Sequence, residues 1–351
     1  MKLAFQLAYK NLIGAGLRTC LNVIVLSFAF VMIIFFNGLM DGWNQQARKD
    51  TIEWEYGYGQ LKHPDYDAFD AFSIQDGHGE IPHDISKELI PIFIQQASIY
   101  PEGRMISIVL KGIDPEQNIL SLPTKELKNN SAFIPAIIGK RMAEMSKLEK
   151  GDEVLLRWRD KNGTFDAGSV TIVDVFDNNV ASIDKGQVCI PLSKLYEMSG
   201  YVNHTTLFVA GRNYQYVELN GWRYKSQEDL LSDLDEIISM KKYSSSILYL
   251  LLLAIALLAI FDTQVLSIFR RQKEIGTYIS LGMTRRQVVG LFTVEGSMYS
   301  LLAMIFGCAY GIPFFAYLAK VGIAIPKASQ EMGISIAENI YPVFGDRKSV
   351  V

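Results

Sequence analysis

The chain has 351 residues with 34 basic and 37 acidic side chains, which gives a formal net charge of −3 at neutral pH. Hydrophobic residues make up 49% of it, and its mean hydropathy of +0.15 is high for a water-soluble protein and low for one built only from membrane helices. This balance predicts a few membrane-spanning helices joined to a large water-soluble domain, and no nucleic-acid partner is expected.

The first segment able to cross a membrane is residues 21–39, which carry no charged side chain. At a rise of 1.5 Å per residue, this run and its flanks can cross a hydrocarbon core of about 30 Å. A cleaved signal peptide is the alternative, but the run exceeds the usual ~7–15 residues and no A-x-A-like site follows it. Two further apolar runs cover residues 247–269 and 288–319, the latter with Pro313 as its natural kink site.

Basic side chains set the expected orientation of these runs. Residues 1–20 contain Lys2, Lys10 and Arg18 and no acid, and residues 268–290 contain five basic side chains against Glu274 alone. By the positive-inside rule both stretches are cytoplasmic, so the long stretch between them lies outside. In a bacterium with two membranes, this predicts a protein of the inner (cytoplasmic) membrane whose large domain lies in the periplasm.

The connection between the second and third apolar runs has well-specified local chemistry. Gly282 is placed to end one helix in the left-handed conformation. Thr284 is placed to cap the next helix, with Gln287 three residues later as its partner in a capping box. The sequence therefore predicts a short helix, a turn and a new helix, which together form a rigid cytoplasmic knob suited to docking on a partner.

Two stretches of this connection carry a family resemblance. The coupling-helix signature of MacB/FtsX-like ABC transporter permeases, which include the lipoprotein-releasing LolC/LolE-like branch, resembles Arg271-Gln272-Lys273-Glu274-Ile275-Gly276 and Leu281-Gly282-Met283-Thr284-Arg285-Arg286-Gln287. Residues 7–12 are similar to the N-terminal helix of that family. The resemblance implies that an ATPase is coupled through Arg271, Lys273, Glu274, Ile275, Gly276, Leu281, Gly282, Met283 and Thr284.

The predicted fold is an α-helical membrane protein with a large α+β extracytoplasmic domain and three transmembrane helices. In chain order we expect a cytoplasmic helix (1–20), transmembrane helix 1 (21–39), a periplasmic α+β domain (40–225), a stalk helix (226–246), transmembrane helix 2 (247–269), a cytoplasmic coupling helix and turn (270–287), transmembrane helix 3 (288–319) and an extracytoplasmic tail (320–351). The family usually has four spans, so the resemblance implies that the tail is a loop before a missing or truncated fourth helix. An atypical three-span member is the alternative.

Within the outer domain, residue alternation and β-branched content predict several elements. Strands are expected at 105–110, 154–159, 170–175, 187–190 and 205–209, and helices at 85–96, 139–145 and 193–198. Residues 139–190 are the best candidate for a small, separable β-rich lobe. Ser226 can cap the stalk helix with Asp229 completing the box, and no Pro or Gly separates this helix from the second span. We therefore expect one continuous helix.

Enzymatic chemistry is not evident in the sequence. No G-x-x-x-x-G-K-[ST] phosphate loop is present, so ATP hydrolysis is expected on a separate subunit, unlike the fused MacB branch proper. His78, Glu80, His83 and Asp84 lie close together, but flanking glycines favour a polar surface loop over a metal site. No catalytic, cofactor-binding or metal-binding residues are therefore assigned, and the chain is not expected to be an enzyme.

Two ionisable residues lie inside the predicted spans. Asp262 is expected to take part in inter-helix packing, with a substrate-path role or an interfacial position as alternatives. Glu295 lies at a comparable depth on the third span, so both side chains are expected at one subunit interface. Glu274 is interpreted as a partner-facing charge, with an internal pair to Arg270 or Arg271 as the alternative. The aromatic residues at 54, 56 and 58 are interpreted as a membrane belt or a strand core, or as a contact for a lipidated substrate.

These observations favour the permease subunit of an ABC transporter that works by mechanotransmission. The expected partners are a cytoplasmic ABC ATPase, a second permease subunit in a homodimer or heterodimer, membrane lipid, and a lipoprotein or periplasmic protein. The cargo is a lipoprotein, lipid-linked material or an amphiphile. Two alternatives stay open, namely an FtsX-like signalling scaffold that activates a periplasmic partner without moving cargo, and a receptor-like sensor.

Overall fold

The computed structural model describes residues 16–68, 70, 72–82, 85–128, 133–324 and 339–344. The chain divides into two compact units, which we call the helical unit (1–44, 237–324 and 339–351) and the sheet unit (45–236 and 325–338). Most of the predicted cytoplasmic helix at 1–20 lies outside the described residues, as do His83, Asp84 and most of the predicted tail.

The elements alternate between strands and short helices in the sheet unit. The first long helix, α1, covers Leu17–Thr51 and passes into a π-helical turn at Ile52–Tyr56. The elements that follow are β1 Gly59–Lys62, α2 Ser73–Asp76, β2 Gly79–Glu80, β3 Leu89–Ile99, β4 Ile106–Ile113, β5 Pro135–Gly139, α3 Lys140–Ser146, β6 Glu153–Arg159, β7 Phe165–Phe176, α4 Ala181–Gly186, β8 Gln187–Pro191, α5 Leu192–Ser199, β9 His204–Thr205, β10 Leu207–Ala210 and β11 Arg223–Ser226.

Three more helices and a short strand pair complete the chain. The helices are α6 Gln227–Arg270, α7 Gln272–Ser280 and α8 Arg285–Val321, and the strands β12 Ile323–Ala324 and β13 Asn339–Ile340 pair with each other. The predicted box at the start of α6 is confirmed, because the Asp229 amide donates to Ser226 Oγ at 3.2 Å and the Ser226 amide donates to Asp229 Oδ2 at 3.1 Å. The predicted continuity of this helix with the second apolar run is also confirmed.

The main sheet closes on itself. Its strand order is β11-β1-β10-β3-β4-β8-β5-β7-β6, and a further pairing of β3 with β6 closes six of these strands into a ring. One core cluster draws residues from all six strands of the ring, including Phe93, Leu110, Ile138, Leu156 and Val170. A second cluster covers the opposite face of five of these strands, all except β6, and includes Cys189, which is buried in β8. The sheet unit therefore has the predicted α+β character, with short helices connecting the strands of its main sheet.

Two predictions for the sheet unit are wrong. Residues 85–96 were expected to be helical, but β3 occupies Leu89–Ile99 because its side chains are buried on both faces, with Phe93 in one cluster and Ile94 in the other. A strand buried on both faces is a continuous apolar run, which periodicity does not separate from a helix. The expected separable lobe at 139–190 is also wrong, because β8 pairs with β4 and β6 pairs with β3.

Among the described residues, three helices are long and apolar enough to cross a membrane. These candidate spans are 19–56, 227–270 and 285–321, and few of the side chains in their most apolar windows are buried. The first helix continues well beyond the predicted end of the first span at residue 39, as far as Thr51. Pro313 lies inside α8, as expected.

The stalk was predicted as the single helix 226–246, but α1 pairs with this part of α6. In the helical unit, Lys242 of α6 pairs with Asp41 of α1 at 2.9 Å, and Lys241 Nζ lies 4.0 Å from the ring centroid of Trp43. In the sheet unit, Arg48 of α1 pairs with Asp235 of α6. The indole of Trp54 stacks on Phe176 of β7 with ring centroids 5.7 Å apart, so it belongs to the protein core and not to an exposed belt.

The described part of the tail packs on α1. The Val343 amide donates to the carbonyl of Gly38 at 2.9 Å, and the Phe344 ring stacks on Phe315 with centroids 4.4 Å apart. A Cβ added to Gly42 would overlap the carbonyl of Tyr341. The small residues of α1 therefore allow the close approach of residues 341–344.

Candidate coupling surface

Helix α7 begins after a single non-helical residue. Arg271 separates α6 from α7, with φ −104° and ψ 19°. Its amide donates to the carbonyls of Ser267 and Ile268 at 3.1 and 3.2 Å, and its own carbonyl accepts from the Ile275 amide at 2.9 Å. The backbone therefore turns from one helix into the next without leaving these amide groups unpaired.

The end of α7 is closed by a Schellman motif. The Met283 amide donates to the Tyr278 carbonyl and the Gly282 amide donates to the Ile279 carbonyl, each at 3.0 Å. Gly282 has a φ of +96°, which is strained for any residue with a Cβ. The prediction that Gly282 ends this helix in the left-handed conformation is confirmed.

The start of α8 carries the predicted capping box. Gln287 donates its amide to Thr284 Oγ1 at 3.4 Å, and its side-chain Oε1 accepts from the Thr284 amide at 2.8 Å. The glycine-based motif that ends α7 and the threonine-based capping box that begins α8 therefore lie within one short turn. Because both patterns are local, the turn between α7 and α8 is defined by its own sequence.

Most of the predicted coupling residues lie on the surface. No residue of α7 is buried, and an added Cβ at Gly276 would meet nothing within 4 Å. Ile275 and Met283 are half-buried, and Arg271 is also half-buried. The others are exposed, namely Lys273, Glu274, Gly276, Leu281, Gly282 and Thr284. Because Leu281 is 78% exposed and Ile279 48% exposed, this surface has apolar as well as basic groups.

A charged pair links α7 to α8 beneath this surface. Arg271 Nη1 contacts Glu295 Oε2 at 3.2 Å, and Arg271 Nε contacts Glu274 Oε2 at 2.8 Å. Glu295 is only 3% exposed. The expectation that Glu295 and Asp262 face one subunit interface stays a prediction, and the ion-pair partner of Glu295 among the described residues is Arg271. The internal pair that was the alternative interpretation of Glu274 is present, although Glu274 is also accessible to a partner.

Asp262 and Glu295 differ in their surroundings. Asp262 is exposed on α6. Two residues later, both amide atoms of Gln264 are buried and have no hydrogen-bond partner among the described residues. Gln264 lines a groove of about 450 Å³ whose other walls are mostly apolar, including Ile268, Ile275 and Phe292. Sequence reasoning missed both this groove and the Arg271–Glu295 pair, because each is formed by residues that lie far apart along the chain.

His78 and His204 of the sheet unit lie in partly buried contact with each other. His78 Nδ1 lies 3.0 Å from His204 Nδ1, and the His78 ring is edge-on to Tyr201 with centroids 4.5 Å apart. Burial, with a smaller contribution from His204 and His63, lowers the pKa of His78 to about 4. Within the described residues, no group of three or more His, Cys, Asp or Glu side chains is arranged to hold a metal ion.

Helix α7 is connected to α8 both by a short turn and by an ion pair. The helix is exposed along its length, its two ends are fixed by hydrogen bonds, and Arg271 ties it to a buried carboxylate on α8. A buried, hydrogen-bonded ion pair resists separation because either partner alone would be left as an uncompensated charge.

Comparison with known proteins bears on this segment directly. Residues 246–344, less than a third of the chain, match the family model described as FtsX-like permease C-terminal. None of the curated proteins compared with the sequence matches it. Among solved structures, the chain is similar to the extracellular domain of the noncanonic ABC-type transporter YknZ from Gram-positive bacteria. That similarity has 15% identity and a TM-score of 0.25, and it covers 44% of this chain and 83% of that one. The segment that contains α7, its turn and α8 is thus similar to the FtsX-like permease C-terminal domain.

Proposed function

We propose that this chain is the permease subunit of an ABC transporter that works by mechanotransmission. A separate cytoplasmic ATPase binds and hydrolyses ATP, and its motion reaches the permease through the exposed surface of α7 and the turn at 281–284. The observation that carries this proposal is the exposed, self-closed helix and turn between two long apolar helices, within the segment that matches the FtsX-like permease model.

The topology belongs to the same proposal. The basic flanks at 1–20 and 270–287 lie in the cytoplasm, and the sheet unit lies outside, in the periplasm of a double-membrane bacterium. Residues 320–351 are also placed outside. Cysteines substituted at Lys161 and Thr284, in a background without Cys20 and Cys308, test this arrangement. An impermeant thiol reagent applied to intact cells should modify the first and spare the second, and modification of position 284 would contradict the topology.

The assembly is proposed to contain two permease subunits. Three candidate spans cannot enclose a path by themselves, and their apolar side chains are largely exposed. A second permease subunit, identical or related, and membrane lipid would cover them. The cargo is proposed to be an amphiphile, a lipoprotein or other lipid-linked material that the sheet unit meets on the outer side.

The coupling role is tested by Gly282→Pro. Proline has no amide hydrogen and fixes φ near −65°, so it removes the bond to the Ile279 carbonyl and cannot adopt the φ of +96°. We expect the variant to insert in the membrane and to lose stimulation of ATP hydrolysis by an ABC ATPase encoded beside this chain. Co-purification and ATP turnover in lipid nanodiscs measure the two effects.

Gly290→Ala is the matched control, because this glycine lies on α8 and an added Cβ there meets nothing within 4 Å. It should retain both association and stimulation. If Gly282→Pro keeps the stimulation of the wild type, the turn has no coupling role. Stimulated hydrolysis without any movement or release of cargo would instead favour the FtsX-like signalling scaffold.

A further inference from the structure

A cleft opens where the pairing of β3 changes partner. Residues 89–92 of β3 pair with β10, and residues 97–99 pair with β6. Between these pairings, α2 and the loop before it approach β3 and leave a cleft of about 360 Å³.

One wall of the cleft presents a row of hydrogen-bond donors. Ser98 of β3 lies opposite Arg157 of β6 on one side and opposite Ser107 of β4 on the other. Residues opposite each other on adjacent strands share a face of the sheet, so these three side chains lie side by side. Within the described part of the chain, neither the guanidinium of Arg157 nor either hydroxyl has a hydrogen-bond or ion-pair partner. The row is therefore free to bind an anion.

Aromatic rings lie beside this row. The guanidinium carbon of Arg157 stands 4.1 Å from the ring centroid of Phe165, which leaves the edge of the guanidinium open. Phe165 is 61% exposed and Phe72 is 86% exposed, and both line the cleft with Tyr201. The nearby Arg159 is held in place by bonds to the Gly163 carbonyl and to Gln75 Oε1, so Arg157 is the arginine available to a ligand.

We propose that this cleft binds a small anionic amphiphile, with its phosphate or carboxylate on Arg157, Ser98 and Ser107 and its apolar tail against Phe165 and Phe72. An arginine fork matches the paired oxygens of such a head group, and stacking on Phe165 holds the fork in position. The inference goes beyond the proposed function, and it rests on that function only in taking the sheet unit to face the outside of the membrane.

The test uses the full chain in phosphatidylcholine nanodiscs and hexyl phosphate as the probe, with empty nanodiscs subtracted. Calorimetric titration should give saturable binding to the wild type, and weaker binding of both inorganic phosphate and hexanol. Arg157→Gln should weaken hexyl phosphate binding about tenfold, the usual size of a lost charged hydrogen bond. Ser98→Ala should weaken it about threefold, because it removes only a neutral donor.

Arg212→Gln is the matched control, because this arginine also stands over a ring, that of Tyr58 at 5.9 Å, and does not line the cleft. Its affinity should equal that of the wild type. Unchanged binding by both Arg157→Gln and Ser98→Ala overturns the proposal, as does the absence of saturable binding. Equal binding of inorganic phosphate or of hexanol overturns the amphiphile class. ATPase stimulation by the same samples shows separately whether the proposed function holds.

Discussion

The two units of this protein place their apolar side chains in opposite directions. In the sheet unit, Leu110 and Leu156 are fully buried within the ring of six strands. In the helical unit, Leu250 and Leu258 of α6 are 67% and 66% exposed. Contiguous exposed apolar surface of this extent is rare in monomeric soluble proteins. The sheet unit therefore carries its own core, whereas the helical unit relies on an apolar environment supplied by lipid or another chain.

Two helices, α1 and α6, have residues in both units, and an interruption of α6 is expected to have the largest effect. Residues of α6 up to 236 lie in the sheet unit and those from 237 lie in the helical unit. Inserting Gly-Gly-Ser-Gly after Lys242 should interrupt this helix while each unit keeps its fold. We expect complete loss of cargo transport or release, with ATPase binding and basal hydrolysis retained.

The control for this experiment is the same insertion after Glu218, in the exposed loop before β11. It lengthens the sheet unit equally without interrupting a helix, so activity should persist. Full cargo activity after insertion at Lys242 would mean that the sheet unit works passively, and the continuous helix would then be a tether and not a lever.

The second effect sharpens the contrast in burial. Leu156→Ala in β6 should lower the free energy of unfolding of the sheet unit by about 2–5 kcal/mol, because it leaves a cavity. Leu258→Ala in α6 should lower the same free energy by less than about 0.5 kcal/mol, since its side chain is exposed and lies outside the sheet unit. Denaturant-dependent labelling of Cys189, in a background without Cys20 and Cys308, reports the opening of the sheet unit. Equal costs would contradict the comparison.

The third effect separates the two carboxylates that contact Arg271. Glu295 is buried and Glu274 has a half-exposed side chain. Glu295→Gln should destabilise the helical unit by about 2 kcal/mol, as expected for a lost charged hydrogen bond. Glu274→Gln should cost less than about 1 kcal/mol, because water screens exposed pairs. Thermal unfolding of the full chain followed by helical circular dichroism measures both, and the reverse order would mean that the pair with Glu295 does not form.

The smallest effect concerns pH and the sheet unit. The pKa of His78 is lowered to about 4, and an unfolded histidine titrates near 6.5. Between these values the unfolded state binds the proton and the folded state does not, so stability falls as the pH falls from about 6.5 to about 4. We expect a loss of about 1 kcal/mol between about pH 7 and pH 5, roughly half of what the full shift would give because the ring is only partly buried, and a smaller loss in His78→Asn. Tryptophan fluorescence during thermal unfolding measures it, and an unchanged pH dependence in the variant would exclude His78 as the cause.

The sequence predicted the local features of the helical unit well. Apolar runs identified the three long helices, and short-range capping rules identified the roles of Gly282 and Thr284. Both signals are contained in neighbouring residues. The extension of α1 to Thr51 was missed because its last turns are polar, and its ion pairs with α6 lie almost two hundred residues away along the chain.

Long-range pairing limited the prediction of the sheet unit and of the coupling surface. The double burial of β3 depends on two layers built from distant strands, so its own residues do not distinguish a strand from a helix. The contact of Arg271 with Glu295 depends on how α7 folds back beside α8. Depth along the spans gave the expectation that Glu295 and Asp262 face one subunit interface. Depth measures position along a span and not the direction in which a side chain points, so it did not predict the contact of Glu295 with Arg271.

The turn between α7 and α8 bears on how related chains could come to bind different ATPases. Its shape depends on the Gly282 conformation and on bonds among residues 278–287, none of which uses the exposed side chains at 273, 279 or 281. Those side chains can therefore be exchanged without altering the backbone that presents them. Related chains in one cell could then acquire distinct ATPases by surface substitution alone, and a transplanted segment 272–287 would carry its partner preference with it.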